Sequence, residues 1–276
     1  FKSIKNRNVL LILLNARITK RSFDRWSNLK EFSHSIFGLI DKAYSQNSET
    51  NHYLKRLNVK NIQSIGNMKF IEDDNIKSDK SDKKLFSQFK KYKTFIAAST
   101  HKTEELFAAK THILLKKKNK NIITIIIPRH INRVKQIISE INELGLNVVS
   151  RSSKKLKLKG IDIFIVDTFG ETKKFYKFAT TVFLGKSIVK GGGQNPLEPA
   201  RFGAKILHGP DVNNFKDVYK YLSKLGISSV VNSPQKCANS IVFKKNMKKV
   251  QKMKYLGSTI LKKTLNELDK SIHNET

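Results

Sequence analysis

Acidic residues are scarce in this chain. Asp and Glu together number 22 against 54 Lys and Arg, a formal charge of +32 over 276 residues. Cysteine is nearly absent, and Cys237 alone excludes an internal disulfide framework and any Cys-rich zinc site. Long apolar runs are missing. The best candidates, 9–14 and 122–127, are strand-sized and fall short of the ~20 residues that a helix needs to span a bilayer. No signal-peptide pattern follows Phe1, which stands where a chain would start with Met and suggests a fragment or a processed product. The motif G-x-x-x-x-G-K-[ST] does not occur, which argues against a P-loop, and G-x-G-x-x-G is absent too, which argues against a dinucleotide fingerprint. There is no D-x-D, which weakens a metal-bridged nucleotide-diphosphate sugar site, and His and Cys show no metal-ligand spacing.

What is abundant is lysine. The chain holds 45 Lys, 29 Ile and 23 Asn but only 9 Arg. A charge of this size suits a polyanion such as nucleic acid, anionic lipid or a phosphorylated glycolipid. A reader of nucleic-acid sequence would draw more on Arg, whose guanidinium forks onto bases and phosphates. Excess Lys, Asn and Ile together is the composition that AT-rich coding DNA produces, so compositional drift on a solvated surface accounts for much of the charge. The remainder is available to an anionic membrane, at about 1 kcal/mol per basic residue near the surface.

The hydrophobic pattern changes along the chain. Near the start, 9–14 reads as a buried strand, 35–44 as a helix and 61–65 as a short strand. A stretch rich in Lys, Asp and Ser follows, with 79–92 read as a linker. Beyond it strands and helices alternate: strands at 94–98, 122–127, 146–150, 161–166, 181–184, 205–208 and 229–231, helices at 102–116, 132–144, 171–178, 196–202 and 214–225. The stretch 233–272 reads as mostly helical. Strands alternating with helices imply an α/β fold with a doubly wound, Rossmann-like parallel sheet. In such sheets ligands bind at the carboxyl ends of the strands.

Four strand-end loops carry polar chemistry. They hold Ser99, Thr100 and His101; Pro128, Arg129 and His130; residues 167–171; and Gly185 followed by Gly191, Gly192, Gly193, Gln194, Asn195, Pro196, Leu197 and Glu198. Together they suit a nucleotide phosphate. Arg129 could fork onto a phosphate, the three glycines could present backbone N–H groups, and Pro196 opens a helix whose N-terminus favours an anion. Glu198 in that first turn could accept from ribose hydroxyls. Plainer readings stand beside these. Gly191 to Gly193 could be only a turn, His101 and His130 surface or capping groups, Asp167 a helix cap, Cys237 inert packing, and Glu104 and Glu105 a solvated helical face.

The strings Ala97-Ala98-Ser99-Thr100-His101, Pro128-Arg129-His130, 167–171 and Asn195-Pro196-Leu197-Glu198-Pro199-Ala200 resemble, in order, the 3-deoxy-D-manno-oct-2-ulosonic acid (Kdo) transferases of lipopolysaccharide synthesis. Leu14-Asn15-Ala16-Arg17 and Gly66-Asn67-Met68-Lys69-Phe70 are similar to that family as well. The resemblance implies a two-domain GT-B glycosyltransferase that moves Kdo from CMP-Kdo to the 6′-hydroxyl of a lipid A precursor, with inversion, without a metal and without a cofactor. It implies a CMP site at Pro128, Arg129, Phe169, Gly170, Glu171, Asn195, Pro196, Leu197 and Glu198, with Ser99, Thr100, His101 and His130 as possible additions, and Lys69 as transition-state stabiliser. Phe169 stands where the family commonly has Met. Gln194 replaces a usual His and cannot carry a proton, and Lys102 stands where an acidic residue is usual.

The resemblance also implies a domain map. Residues 1–78 would be the end of an incomplete acceptor-side domain, 79–92 a linker, 93–248 the CMP-sugar domain, and 249–276 a C-terminal helix that could pack back on the first domain. It begins inside the family's N-terminal domain. A further portion of roughly 100–150 residues, with membrane anchor and general-base glutamate, would then lie outside this chain, and the chain alone would be inactive. The implied setting is the cytoplasmic face of the bacterial inner membrane, with CMP-Kdo, the lipid A precursor and the anionic membrane as partners and no nucleic acid. Two alternatives are another GT-B nucleotide-sugar transferase or epimerase, and a basic nucleic-acid-binding protein.

Overall fold

The computed structural model describes residues 2–7, 9–71, 80–153 and 157–273. The chain divides into two compact units, Phe1–Asp73 with Met253–Thr276, and Asp74–Lys252.

The first unit is built on three parallel strands in the order β1 (Ile12–Ala16), β2 (Lys42–Ser45), β3 (Ile62–Ser64). Helices Lys20–Ser27 and Lys30–Phe37 lie between β1 and β2, and Ser48–Arg56 between β2 and β3. Side chains cap two of them. Thr19 Oγ1 accepts from the Ser22 N–H at 3.3 Å and Asn47 Oδ1 from the Thr50 N–H at 2.8 Å. Ala16, Ile40, Ala43, Leu54 and Val59 form the core on one face. Tyr44, Ile65 and Ile260 form a second cluster, and the Tyr44 hydroxyl lies 3.1 Å from Ser271 Oγ on the long helix Met247–His273.

The sequence pattern predicts one helix over 35–44. The structure ends the helix at Phe37 and makes Lys42–Ser45 the central strand. Its backbone is held from both sides: the Asp41 N–H donates to Leu11 O at 3.0 Å and the Ala43 N–H to Asn61 O at 2.8 Å. That pairing is non-local and overrides local propensity.

The second unit holds a seven-stranded, wholly parallel sheet. Its strands are β4 (Lys93–Thr100), β5 (Ile122–Pro128), β6 (Val148–Ser150), β7 (Ile163–Ile165), β8 (Thr181–Leu184), β9 (Lys205–His208) and β10 (Ser228–Val230), in the order β10-β9-β8-β4-β5-β7-β6. Every residue of β5 is buried, as two-sided burial of an Ile-rich strand requires. The chain runs outward from β4 to one side, then returns to lay β8 on the other side. A crevice therefore opens at the carboxyl ends of β4 and its neighbours.

Two sequence readings change here. Most of 79–92, read as a linker, is the helix Lys80–Phe89. Leu85 and Phe89, four residues apart, are buried, and the Phe89 ring stands 5.2 Å from Phe164 and 5.4 Å from Phe178. The charged residues that precede these anchors in the sequence, Lys80 and Asp82 to Lys84, hide the helical period. Glu104 and Glu105, read as a solvated face, have no exposed surface. Arg133 pairs with Glu105 at 3.2 Å; the partners of Glu104 are backbone N–H groups. Cys237 is a buried core residue, and burial pushes its thiol up to about 12.

Candidate functional site

A cavity of about 530 Å³ opens at the carboxyl ends of β4, β5 and β7. Its walls include Ser99, Pro128, Arg129, His130, Phe169 and Gly170, so six sequence-predicted residues from three loops converge on it. Each is placed by the strand before it. Pro128 is buried as the last residue of β5, and the Arg129 N–H donates to Thr100 O at 2.9 Å, which leaves the Arg129 side chain exposed at the mouth. Phe169 is 80% exposed, a large apolar ring standing free beside a polar cavity. Gly170 takes φ +76°, a turn that side chains resist. The His101 ring meets His130 edge-on at 5.4 Å, and His101 Nδ1 lies 3.1 Å from Ser99 O. Burial depresses the His101 pKa, which favours the neutral imidazole. A cationic fork and a bare aromatic face can hold a phosphate and stack a base.

Other predicted residues are placed differently. Thr100 is fully buried, and its contribution is the carbonyl that receives Arg129. Glu171 is bound within the protein. Arg151 Nε lies 3.2 Å and Lys174 Nζ 3.3 Å from its carboxylate, and Thr168 donates a hydroxyl bond to it. Burial pushes the Glu171 carboxyl up, but those partners outweigh it and leave it below the usual range. Glu171 therefore shapes the loop that carries Phe169. Asp167 caps no helix: its Oδ1 accepts from the Ser152 N–H at 2.9 Å. Thr168, within the 167–171 loop, and Thr172 also line the cavity; Thr172 has no distinguishing sequence signal.

The glycine-rich loop departs furthest from its sequence reading. Its three N–H groups are all used within the chain. Gly191 and Gly192 donate to Asp211 Oδ2 at 2.8 and 3.1 Å, and Gly193 donates to Lys186 O at 2.7 Å. These bonds, Gly191 foremost, hold the Asp211 carboxyl below its ordinary value. The anion that the glycines bind is a side chain of the protein. Further on, Tyr219 OH donates to Gln194 O at 3.1 Å, and Asn195 Oδ1 accepts from the Leu197 N–H at 3.1 Å. The helix that follows, Leu197–Arg201, has only five residues. Pro196 and Leu197 are buried and offer no side-chain surface to a ligand, while Glu198 is half-buried. Asn195 to Glu198 are not among the walls of the 530 Å³ cavity.

Lys69 belongs to the first unit. It follows β3 in the turn Met68–Phe70, where Asn67 Oδ1 accepts from its N–H at 2.9 Å and Asn15 Oδ1 accepts from the Met68 N–H at 3.0 Å. Burial, aided by the Arg17 guanidinium, lowers the Lys69 pKa.

Two α/β units, one with a doubly wound parallel sheet and a cavity at its strand ends, place the chain in the GT-B fold class. Solved structures support that class. The C-terminal CMP-Kdo binding domain of WaaA from Acinetobacter baumannii matches with a TM-score of 0.53 at 20% identity, over 65% of this chain and 95% of that one. An α,α-trehalose 6-phosphate synthase from Burkholderia multivorans matches with a TM-score of 0.55 at 9% identity, over 100% of this chain and 70% of that one. At these identities the likeness is one of fold.

Sequence narrows the class. Residues 1–72 match the family described as 3-Deoxy-D-manno-octulosonic-acid transferase (kdotransferase). The 3-deoxy-D-manno-octulosonic acid transferase of Rickettsia felis is 33% identical over 214 residues, 78% of this chain and 46% of that protein. That of Rickettsia prowazekii is 29% identical over 252 residues, 91% of this chain and 54% of that protein. The chain is similar to Kdo transferases over most of its length, and it spans about half the length of the curated relatives it matches.

Proposed function

We propose that the chain forms the donor-binding side of an enzyme that moves Kdo from CMP-Kdo to a lipid A precursor. The observation that carries this reading is the convergence of Arg129, His130 and Phe169 on one cavity at the strand ends of the second unit. Arg129 would take the CMP phosphate, as a charge-assisted fork does in a site partly shielded from water. The bare Phe169 ring would lie against the nucleotide, with Gly170 keeping the approach open. A monophosphate leaving group carries less charge than a diphosphate, so a guanidinium and an ammonium can stabilise its departure. The Lys69 ammonium of the first unit is the proposed transition-state stabiliser, and burial has stripped part of its hydration. Attack by the acceptor hydroxyl from the opposite face would invert the anomeric centre, and no step requires a metal.

Among the described residues no helix is long and apolar enough to cross a membrane. The net charge of +32 would instead draw the protein to a phosphorylated acceptor and an anionic bilayer at the inner face of the cell membrane. Crystals grown with CMP test the donor site. The nucleotide should lie in the cavity with its phosphate on Arg129. A nucleotide found elsewhere, or a site that takes UMP and refuses CMP, would overturn the reading.

A further inference from the structure

Glu104 is the first residue of the helix Glu104–Lys118, and it is fully buried. Its Oε2 accepts from the backbone N–H of His101 at 2.9 Å and of Lys186 at 2.7 Å. Its Oε1 accepts from Ser187 and Ile188, both at 3.0 Å. The four donors come from two loops: His101 follows β4, while Lys186, Ser187 and Ile188 follow β8. Those strands are neighbours at the point where the chain reverses its direction across the sheet. One carboxylate therefore joins the two loops at the crevice in which a ligand binds.

The surrounding backbone is shaped to this contact. Ser99 and Lys186 adopt left-handed conformations at φ +54° and +57°. A Cβ at Gly185 would stand 2.6 Å from Thr100 Cα and 2.6 Å from Glu104 Oε2, so the loops meet without room for a side chain. Four N–H groups aimed at one buried carboxylate need four lone pairs. A carboxylate offers them on two oxygens, whereas an amide offers one oxygen and presents a second donor to donors. Helix propensity or core packing would not call for a charged acceptor here.

We propose that Glu104 is a positioning residue for the nucleotide. Its carboxylate clamps the loop after β8 onto the loop after β4, and thereby holds Ser99 and the segment leading to Asn195 and Glu198 in place. Glu104 itself touches no ligand. The proposal rests on the donor-site reading given above.

The test compares three variants of the full chain: Glu104→Gln, Glu104→Asp and Glu105→Gln. Glu105 is equally buried and one residue away, but it pairs with Arg133 and not with the loop. Amide hydrogen exchange is followed at Lys186, Ser187 and Ile188, with CMP affinity measured well below each melting temperature. Glu104→Gln should speed exchange at the three amides at least tenfold and weaken CMP at least tenfold. Glu104→Asp, which keeps the charge on a shorter stem, should fall between it and the unaltered chain and gives the answer if Glu104→Gln does not fold. Glu105→Gln should lower the melting temperature and leave both readouts unchanged. Equal exchange and equal CMP affinity in the Glu104 and Glu105 variants would overturn the proposal. If the unaltered chain binds no CMP, the donor reading fails, and the exchange measurement by itself decides whether Glu104 holds the loop.

Discussion

Three loops at the same sheet edge put their residues to opposite uses. After β5 and β7, Arg129 and Phe169 stand exposed, with few ties to the rest of the protein, around a cavity of about 530 Å³. After β8, six backbone N–H groups are spent inside: three on Glu104, two on Asp211, one on Lys186 O. In the proposed donor site the loops after β5 and β7 bind, and the loop after β8 holds still. Glycine richness marks both close packing and phosphate cradles, and here it marks close packing, because a carboxylate of the protein occupies the anion position that a ligand would take.

The contrast can be broken at several points. The largest effect is expected for Gly185→Ala. The added methyl meets backbone at Thr100 that cannot yield, and stability should fall by about 3 kcal/mol; denaturant unfolding measures it, and a loss under 1 kcal/mol would show the two loops are not locked. Arg129→Ala should weaken CMP by about 1.5–3 kcal/mol while the melting temperature barely moves, because the side chain is exposed. Asp211→Asn should do the reverse. It keeps one acceptor oxygen for the glycine N–H groups, so stability should drop by about 1 kcal/mol with CMP affinity intact.

The smallest effect concerns pH. Burial lowers the pKa of His101, His112 and His208; for His112 it prevails over the attraction of Asp162, whose charge Lys116 already meets at 2.5 Å. The unfolded chain then binds more protons than the folded one below pH 6.5. Stability is therefore whole above that value and is lost as pH falls through the folded-state pKa values. Melting temperatures at pH 7.5 and 5.5 check this, and a flat profile would show that these imidazoles charge freely in the fold.

How much could be read from the sequence differs between the two units for a physical reason. In the second unit each element announces itself locally. Thr181–Leu184 and Lys205–His208 are found at the bounds that the apolar pattern predicts, because strands buried on both faces leave unbroken apolar runs. In the first unit Lys42–Ser45 is a strand because β1 and β3 pair with it on either side, and Lys20–Ser27 has one buried residue, Phe23, to mark it. The cavity residues Arg129 and Phe169 could be found because strand-end position and residue type coincide. The anchoring role of Glu104 was harder to see. Its reach back to the His101 N–H has the spacing of a capping box, a legible signal, but the three donors from Lys186 to Ile188 are more than eighty residues away.

The most direct measurement is calorimetric titration with CMP, and with UMP for comparison, of the unaltered chain, Arg129→Ala and Asp211→Asn. The account predicts that the unaltered chain and Asp211→Asn bind CMP alike, that Arg129→Ala binds it far more weakly, and that UMP is the poorer ligand. Binding that survives Arg129→Ala and disappears with Asp211→Asn would place the phosphate at the glycine-rich loop and contradict it.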